Sequence, residues 1–197
     1  MRTPREAVEA VRALAAARGT WTVLVDGRSG AGKSTLADAL VARTGAALVR
    51  LDDVYPGWDG LEAGADAVLR DVLVPRRSRR AGSWRRWDWT SGVLAERHGV
   101  PGEGGLVVEG VGAIGRRAAP RADLTVWVEL DAGERRSRAL ARDGEAFAPH
   151  WRRWAEQEDG RIRRERPAAL ADLLVDGRDV QALPSGLAAR VAYRGRP

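Results

Sequence analysis

The 197-residue sequence has no cysteine, which excludes disulfide bridges and thiolate metal ligands. Histidine is nearly absent: His98 and His150 are too few and too scattered for a histidine metal site. No apolar run approaches the ~20 residues needed to span a bilayer, so no membrane role is expected and the expected location is the cytoplasm. Residues 1–19 could pass for a targeting peptide. However, Glu6 and Glu9 interrupt them, and Val8, Val11, Leu14 and Ala15 recur at the spacing of an amphipathic helix. Lysine is the most informative scarcity. Of 33 basic residues one is lysine, Lys33, and the others are arginine. Against 27 acids they leave a net charge of +6, but the arginines are spread along the chain. That distribution reads as a general preference for Arg over Lys and argues against a basic face built for nucleic acid. A lone lysine then marks a position where chemistry, not charge alone, selects the side chain.

Hydrophobic residues (44%) and charged residues (30%) are in ordinary globular proportion, and the length suits one domain with a real core. Short apolar runs at 21–25, 47–51, 105–108, 123–130 and within 170–175 read as buried strands. Helical spacing is found over 3–18, 33–43, 60–73 (ending before Pro75), 132–142 and 147–166, the last broken near its start by Pro149. Residues 75–92, rich in Arg and Trp, have no clear period, and the tail, 176–197, is punctuated by Gly and Pro. Buried strands alternating with helices imply an α/β three-layer sandwich around a parallel sheet. Such sheets bind ligands at the carboxyl ends of their strands.

The first strand is followed by Gly27-Arg28-Ser29-Gly30-Ala31-Gly32-Lys33-Ser34-Thr35, a complete G-x-x-x-x-G-K-[ST] phosphate loop. Glycines let successive amides turn inward toward phosphate oxygens, and the next helix presents its positive end to the same anion. Lys33 can reach the β- and γ-phosphates of ATP, and the Ser34 hydroxyl can ligate Mg²⁺. The second strand ends in Asp52-Asp53-Val54-Tyr55 and the third in Glu109-Gly110. In the strand order 2-3-1-4-5 usual in P-loop kinases, these acids project toward the phosphate loop. A carboxylate there can deprotonate an acceptor hydroxyl or hold Mg²⁺ through water. Asp53 can equally cap a turn.

The segments Asp26-Gly-Arg-Ser-Gly-Ala-Gly-Lys-Ser-Thr-Leu-Ala37 and Asp52-Asp53-Val54-Tyr55 resemble the uridine kinase and nicotinamide riboside kinase group of the P-loop kinase superfamily. Val54 departs from the aromatic usual there. The resemblance, over roughly residues 20–180, implies a five-stranded parallel sheet of order 2-3-1-4-5 with a helical lid. It implies a single P-loop kinase domain over 1–197, with an acceptor segment about 55–98 and a lid about 136–166. ATP and Mg²⁺ are the implied cofactors, and a small hydroxylated, nucleoside-like metabolite the acceptor. Asp52 would be the general base and Glu109 the strand-three acid, holding Mg²⁺ through water or touching substrate. Asp53, Tyr55, Trp87 and Asp88 would line the acceptor, with Asp88 on sugar hydroxyls. Ser137-Arg138-Ala-Leu-Ala-Arg142-Asp143 resembles the lid stretch, so Arg138 and Arg142 would neutralise the transferring phosphoryl group. Pairing of Arg138 with Glu134 is the alternative. Arg178, after the fifth strand, would lie under the adenine ring.

Arg76 to Arg86, interleaved with Trp84, Trp87 and Trp89, admits three readings: an acceptor pocket, packing over the sheet edge, or stacking on nucleic-acid bases. Trp151 and Trp154 read as lid packing. A nucleoside monophosphate kinase and an ATP-dependent switch without a small acceptor are the competing functions, and self-association is left open.

Overall fold

Every residue of the strand Trp21–Asp26 is buried. Val23 and Val25 belong to one apolar cluster and Leu24 to a second, so both faces of this strand are covered. The structure, a computed structural model, describes residues 1–183, and most of the tail expected over 176–197 lies outside the described residues. In chain order the elements are α1 (Pro4–Ala17), β1 (Trp21–Asp26), α2 (Lys33–Thr44), β2 (Ala47–Arg50), α3 (Leu61–Val68), α4 (Val74–Arg77), β3 (Gly82–Asp88) and β4 (Val93–Val100). There follow β5 (Gly105–Glu109), β6 (Leu124–Glu129), α5 (Ala132–Phe147), α6 (Trp151–Glu165), α7 (Pro167–Leu170) and β7 (Leu173–Asp176).

The five long-range strands pair in parallel in the order β2-β5-β1-β6-β7. With the hairpin β3–β4 left out of the count, this is the expected order 2-3-1-4-5. Helices α1 and α2 bury Val8, Val11, Leu36 and Leu40 on one face. On the other face α3, the turns after β5 and helices α5 and α6 meet the sheet. The N-terminal segment protects the β7 edge: the Arg2 N–H donates to the Leu174 carbonyl (2.7 Å) and its carbonyl accepts the Asp176 N–H (3.0 Å). A capping box then starts α1, with the Glu6 N–H on the Thr3 hydroxyl (3.2 Å) and the Thr3 N–H on the Glu6 carboxylate (2.7 Å).

Two expectations are corrected. The helix over 60–73 does not stop before Pro75. It passes through a π-turn, Leu69–Leu73, into α4. The wider turn puts Pro75 at the start of α4, where its missing N–H has no helical acceptor to serve. And residues 75–92 are not aperiodic coil, because they hold β3, paired antiparallel to β4 with Trp84 opposite His98 and Trp87 opposite Leu94. The register shifts between Arg85 and Trp87, which breaks the two-residue alternation that marks a strand.

Three of the region's six arginines serve the hairpin. Arg86 pairs with Glu96 (2.6 Å), and Arg85 donates to the Leu94 and Ala95 carbonyls. Arg76 is buried and ties the base of the hairpin to β1. Its guanidinium donates to the Thr22 hydroxyl (2.9 Å), the Trp21 carbonyl (3.0 Å) and the carbonyls of Pro101, Glu103 and Gly104. Removing it leaves the buried Trp21 carbonyl and Thr22 hydroxyl, and three part-buried carbonyls, without this donor, so Arg76→Ala should cost about 3 kcal/mol in urea unfolding. Arg80→Ala, at an exposed position of the same run, should stay within about 0.5 kcal/mol.

Candidate active site

Lys33 opens α2 immediately after the glycine loop, and its buried ammonium donates to the Arg28 carbonyl (3.1 Å). Gly30 sits at φ +81°, and a Cβ there would fall 2.1 Å from the Arg135 carbonyl oxygen, so only glycine lets α5 approach the loop this closely. Ser34, one residue into the helix, is half-buried, and its hydroxyl makes no hydrogen bond among the described residues. An uncommitted hydroxyl at a helix start suits a magnesium ligand. Thr35 is half-buried beside it.

Asp26, the last residue of β1, is 1% exposed and faces the loop after β5. Its carboxylate accepts the N–H groups of Gly27 (2.6 Å), Gly112 (3.0 Å) and Ile114 (2.8 Å). Burial raises its pKa to about 6, against the opposing pull of those three amides and of the Lys33 charge. The same loop is held from elsewhere by the Tyr55 hydroxyl, which donates to the Val111 carbonyl (2.6 Å).

Glu109 ends β5 at 2% exposure and accepts from Arg50 (2.9 Å), which also pairs with Asp38 (2.5 Å). Its carboxyl is pushed above the usual carboxylate range by burial and then by the charge of Asp52, while Lys33 and Arg50 pull the other way. The buried Tyr55 phenol is likewise pushed up by burial and by Asp52, Asp26 and Glu109. These mutual influences place Asp26, Lys33, Asp52 and Glu109 in one electrostatic neighbourhood at the carboxyl ends of β1, β2 and β5. Asp52 and Asp53 lie in a single 3₁₀ turn, and the Trp89 indole N–H donates to the Asp52 carbonyl (3.0 Å), which brings the hairpin tip to that turn.

Helices α5 and α6 grip the loop from the far side. The Ser29 N–H donates to Glu158 of α6 (2.9 Å). Arg28 bonds the other oxygen of that buried carboxylate (3.0 Å) and also Asp159 (2.6 Å). Arg135 of α5 is buried, donates to the Leu130 carbonyl (3.0 Å) and lies against Ser29. Arg138 takes the pairing alternative: it bonds Glu134 (2.5 Å) and the carbonyls of Gly177 (2.9 Å) and Arg178 (3.3 Å). Arg142 is exposed one turn further on. The Arg178 guanidinium turns back onto Asp176, but its turn does abut the phosphate loop, since Gly177 packs on the Ala31 carbonyl and Val180 on Gly32.

Beside the turn that holds Asp52 and Asp53, the rings of Trp58, Trp89, Phe147, His150 and Trp154 converge. Trp58 stacks on His150 (centroids 4.3 Å apart) and meets Trp89 at 4.8 Å. Tyr55 packs edge-on against Trp154 (4.9 Å). Trp87 is half-buried near Gly57. Asp88 closes the hairpin turn, accepting the N–H groups of Thr90 (3.0 Å) and Ser91 (3.4 Å). Sequence reading overlooked Asp26, Arg50, Trp58, Arg135, Glu158 and Arg161 as site residues. The last two had a signal: Trp154, Glu158 and Arg161 recur at i, i+4, i+7, one buried face of α6.

No protein-family model and no curated protein matches this chain. Solved structures do. One, from Bacillus stearothermophilus and described as a possible uridine kinase, is 16% identical with a TM-score of 0.59, over 87% of this chain and 100% of that one. Another, from Silicibacter sp. TM1040 and described as a fructose transport system kinase, is 15% identical with a TM-score of 0.53, over 85% and 97%. At these identities the likeness shows the fold alone, a three-layer α/β sandwich around a five-stranded parallel sheet. No helix among the described residues is long and apolar enough to cross a membrane.

The buried Asp26 gives this site a pH signature. A carboxyl whose folded pKa is raised contributes stability that is present below about pH 4 and lost as pH rises through about 6. The stability of the native chain relative to Asp26→Asn should therefore fall by up to about 3 kcal/mol between pH 4 and 7, read from paired urea melts. A difference that is flat with pH would show that Asp26 ionises normally.

Proposed function

We propose that the protein is an ATP-dependent phosphotransferase that moves the γ-phosphoryl group to a hydroxyl of a small, nucleoside-like metabolite. The observation that carries this reading is the convergence of a complete phosphate loop with the acids of two neighbouring strand ends, Asp52 and Glu109, in a P-loop kinase fold.

In this reading the amides of residues 28–34 cradle the ATP phosphates, and Lys33 leaves the Arg28 carbonyl to meet the β- and γ-oxygens. Ser34 and, through water, Glu109 would hold Mg²⁺, which supplies charge neutralisation on those oxygens. Asp52 accepts the acceptor hydroxyl proton as the new O–P bond forms and the bond from Pγ to the bridging oxygen breaks, its electron pair leaving on ADP. Arg142, and Arg138 once released from Glu134, would stabilise the transferring group as the lid closes. Arg178 would approach the adenine from the turn beside Ala31. Asp53, Tyr55, Trp87 and Asp88 would frame the acceptor together with Trp58 and Trp89. A hydroxyl acceptor is favoured over a phosphate, because an incoming phosphate oxygen needs no base such as Asp52, and Arg76, Arg85 and Arg86, three of the six arginines of the 76–86 run, are engaged within the hairpin.

The test is ADP release from ATP-Mg²⁺ against a panel of nucleosides, sugars and vitamin precursors. One hydroxylated acceptor should stimulate release. Lys33→Ala should lower kcat/KM at least about a hundredfold. Asp52→Asn should lower kcat about a hundredfold or more while ATP affinity stays nearly unchanged. Normal turnover in Lys33→Ala would overturn the reading, and loss of ATP binding in Asp52→Asn would remove that residue as the base.

A further inference from the structure

Arg50 ends β2 and Glu109 ends β5, and the two stand opposite each other in the parallel register. Two residues earlier on the same strands, Leu48 and Val107 pack with Leu36 and Leu40 of α2. Side chains two apart along a strand share a face, so Arg50 and Glu109 are directed to the α2 side of the sheet. There the Arg50 guanidinium spans two elements. One terminal nitrogen bonds Glu109 (2.9 Å) and the other bonds Asp38 of α2 (2.5 Å). Asp38 comes four residues after Ser34, on the same face of that helix. The Glu109 carboxylate is thereby held beside the helix face that begins with Ser34.

This pairing differs from the one that neutralisation alone would select. A guanidinium satisfies a buried carboxylate best through two parallel bonds to its two oxygens. Arg50 gives Glu109 one bond, at Oε1, and directs the other to a side chain that is 41% exposed. Glu109 is 2% exposed, yet its Oε2 accepts no hydrogen bond among the described residues. That oxygen is not sealed off. Arg161 Nε is the one fully buried side-chain polar atom without a partner among the described residues, so Oε2 keeps contact with solvent. Lys33 and Asp52 both act on the same carboxylate, which places it at the phosphate end of α2. A charged oxygen held from one side and open on the other is the acceptor that a metal-bound water requires. Mg²⁺ is exacting here, because it keeps several waters in near-ideal octahedral geometry.

We propose that Arg50 is a positioning residue for the metal: it fixes Glu109 so that Oε2 receives a Mg²⁺-bound water next to Ser34, and Asp38 fixes Arg50 in turn. The inference rests on the reading of Ser34 and Glu109 as the Mg²⁺ residues of a nucleotide site, and it adds the two residues that hold Glu109 in place.

The probe is the β,γ-imido analogue of ATP, whose bridging nitrogen resists transfer. Its dissociation constant is measured by calorimetric titration of the full chain, once with Mg²⁺ and once with EDTA. The ratio of the two constants is the gain in affinity due to the metal. Arg50→Gln should reduce that gain at least about tenfold and leave the affinity in EDTA within about twofold of the native value. Arg50→Lys should recover part of the gain, since a single ammonium can reach Glu109 but does not reproduce the fork to Asp38. Asp38→Asn should reduce the gain in the same direction and by less. Thermal midpoints without ligand show whether each variant folds, and Asp38→Asn decides the matter if Arg50→Gln does not fold. An unchanged gain in the deciding variant would reduce the pair to a structural one. An increased gain would show that Arg50 competes with the metal for Glu109. Either result overturns the proposal. A native chain that binds the analogue with no gain from Mg²⁺ would instead remove Ser34 and Glu109 as the metal residues, and the inference with them.

Discussion

One buried carboxylate holds the candidate site together. Asp26 stands where β1 ends, and its two oxygens receive the first amide of the phosphate loop and two amides of the loop after β5. Two glycine-containing loops thereby share one anchor. The cost is desolvation of a charge, visible in the raised pKa. What is obtained is a fixed distance between the strand that bears the phosphate loop and the neighbour that bears Glu109. Tyr55 and Arg161 brace the second loop through the carbonyls of Val111 and Gly112, so the backbone from Gly110 to Ile114 is held by three side chains from three elements.

From this anchor the rest follows outward. Parallel pairing of β5 between β1 and β2 sets Glu109 and Asp52 at adjacent strand ends, where neither carboxyl can be charged without affecting the other. Helices α5 and α6 pack over the same edge, where Glu158 meets Arg28 of the phosphate loop and the rings around Trp58 gather on the other side. In the proposed reading one pair of helices would thus bridge nucleotide and acceptor, so that both substrates could be enclosed before transfer.

The parallel sheet and the phosphate loop were legible because their signals are local. The five runs at 21–25, 47–51, 105–108, 123–130 and within 170–175 are short and mainly apolar, and the G-x-x-x-x-G-K-S run has no common structural alternative. The hairpin was hidden by the register shift after Arg85, and the continuation through Pro75 by a π-turn that propensity alone does not anticipate. Asp26, Arg50 and Arg135 acquire meaning only from partners far along the chain, such as Ile114 for Asp26 and Glu109 for Arg50. Arg138 shows the reverse: helical spacing correctly offered Glu134 as its partner, yet could not reveal that the Gly177 carbonyl completes the arrangement.

The central claim is transfer of a phosphoryl group to a small acceptor, and the fate of the γ-phosphorus tests it most directly. The protein would be incubated with γ-labelled ATP, Mg²⁺ and a mixture of hydroxylated metabolites, and the label then resolved into inorganic phosphate and organic esters. The account predicts label in a phosphate monoester of a small nucleoside-like compound, absent when Lys33 is replaced. Label found only in inorganic phosphate, with the mixture making no difference to its rate, would contradict it and leave a nucleotide hydrolase.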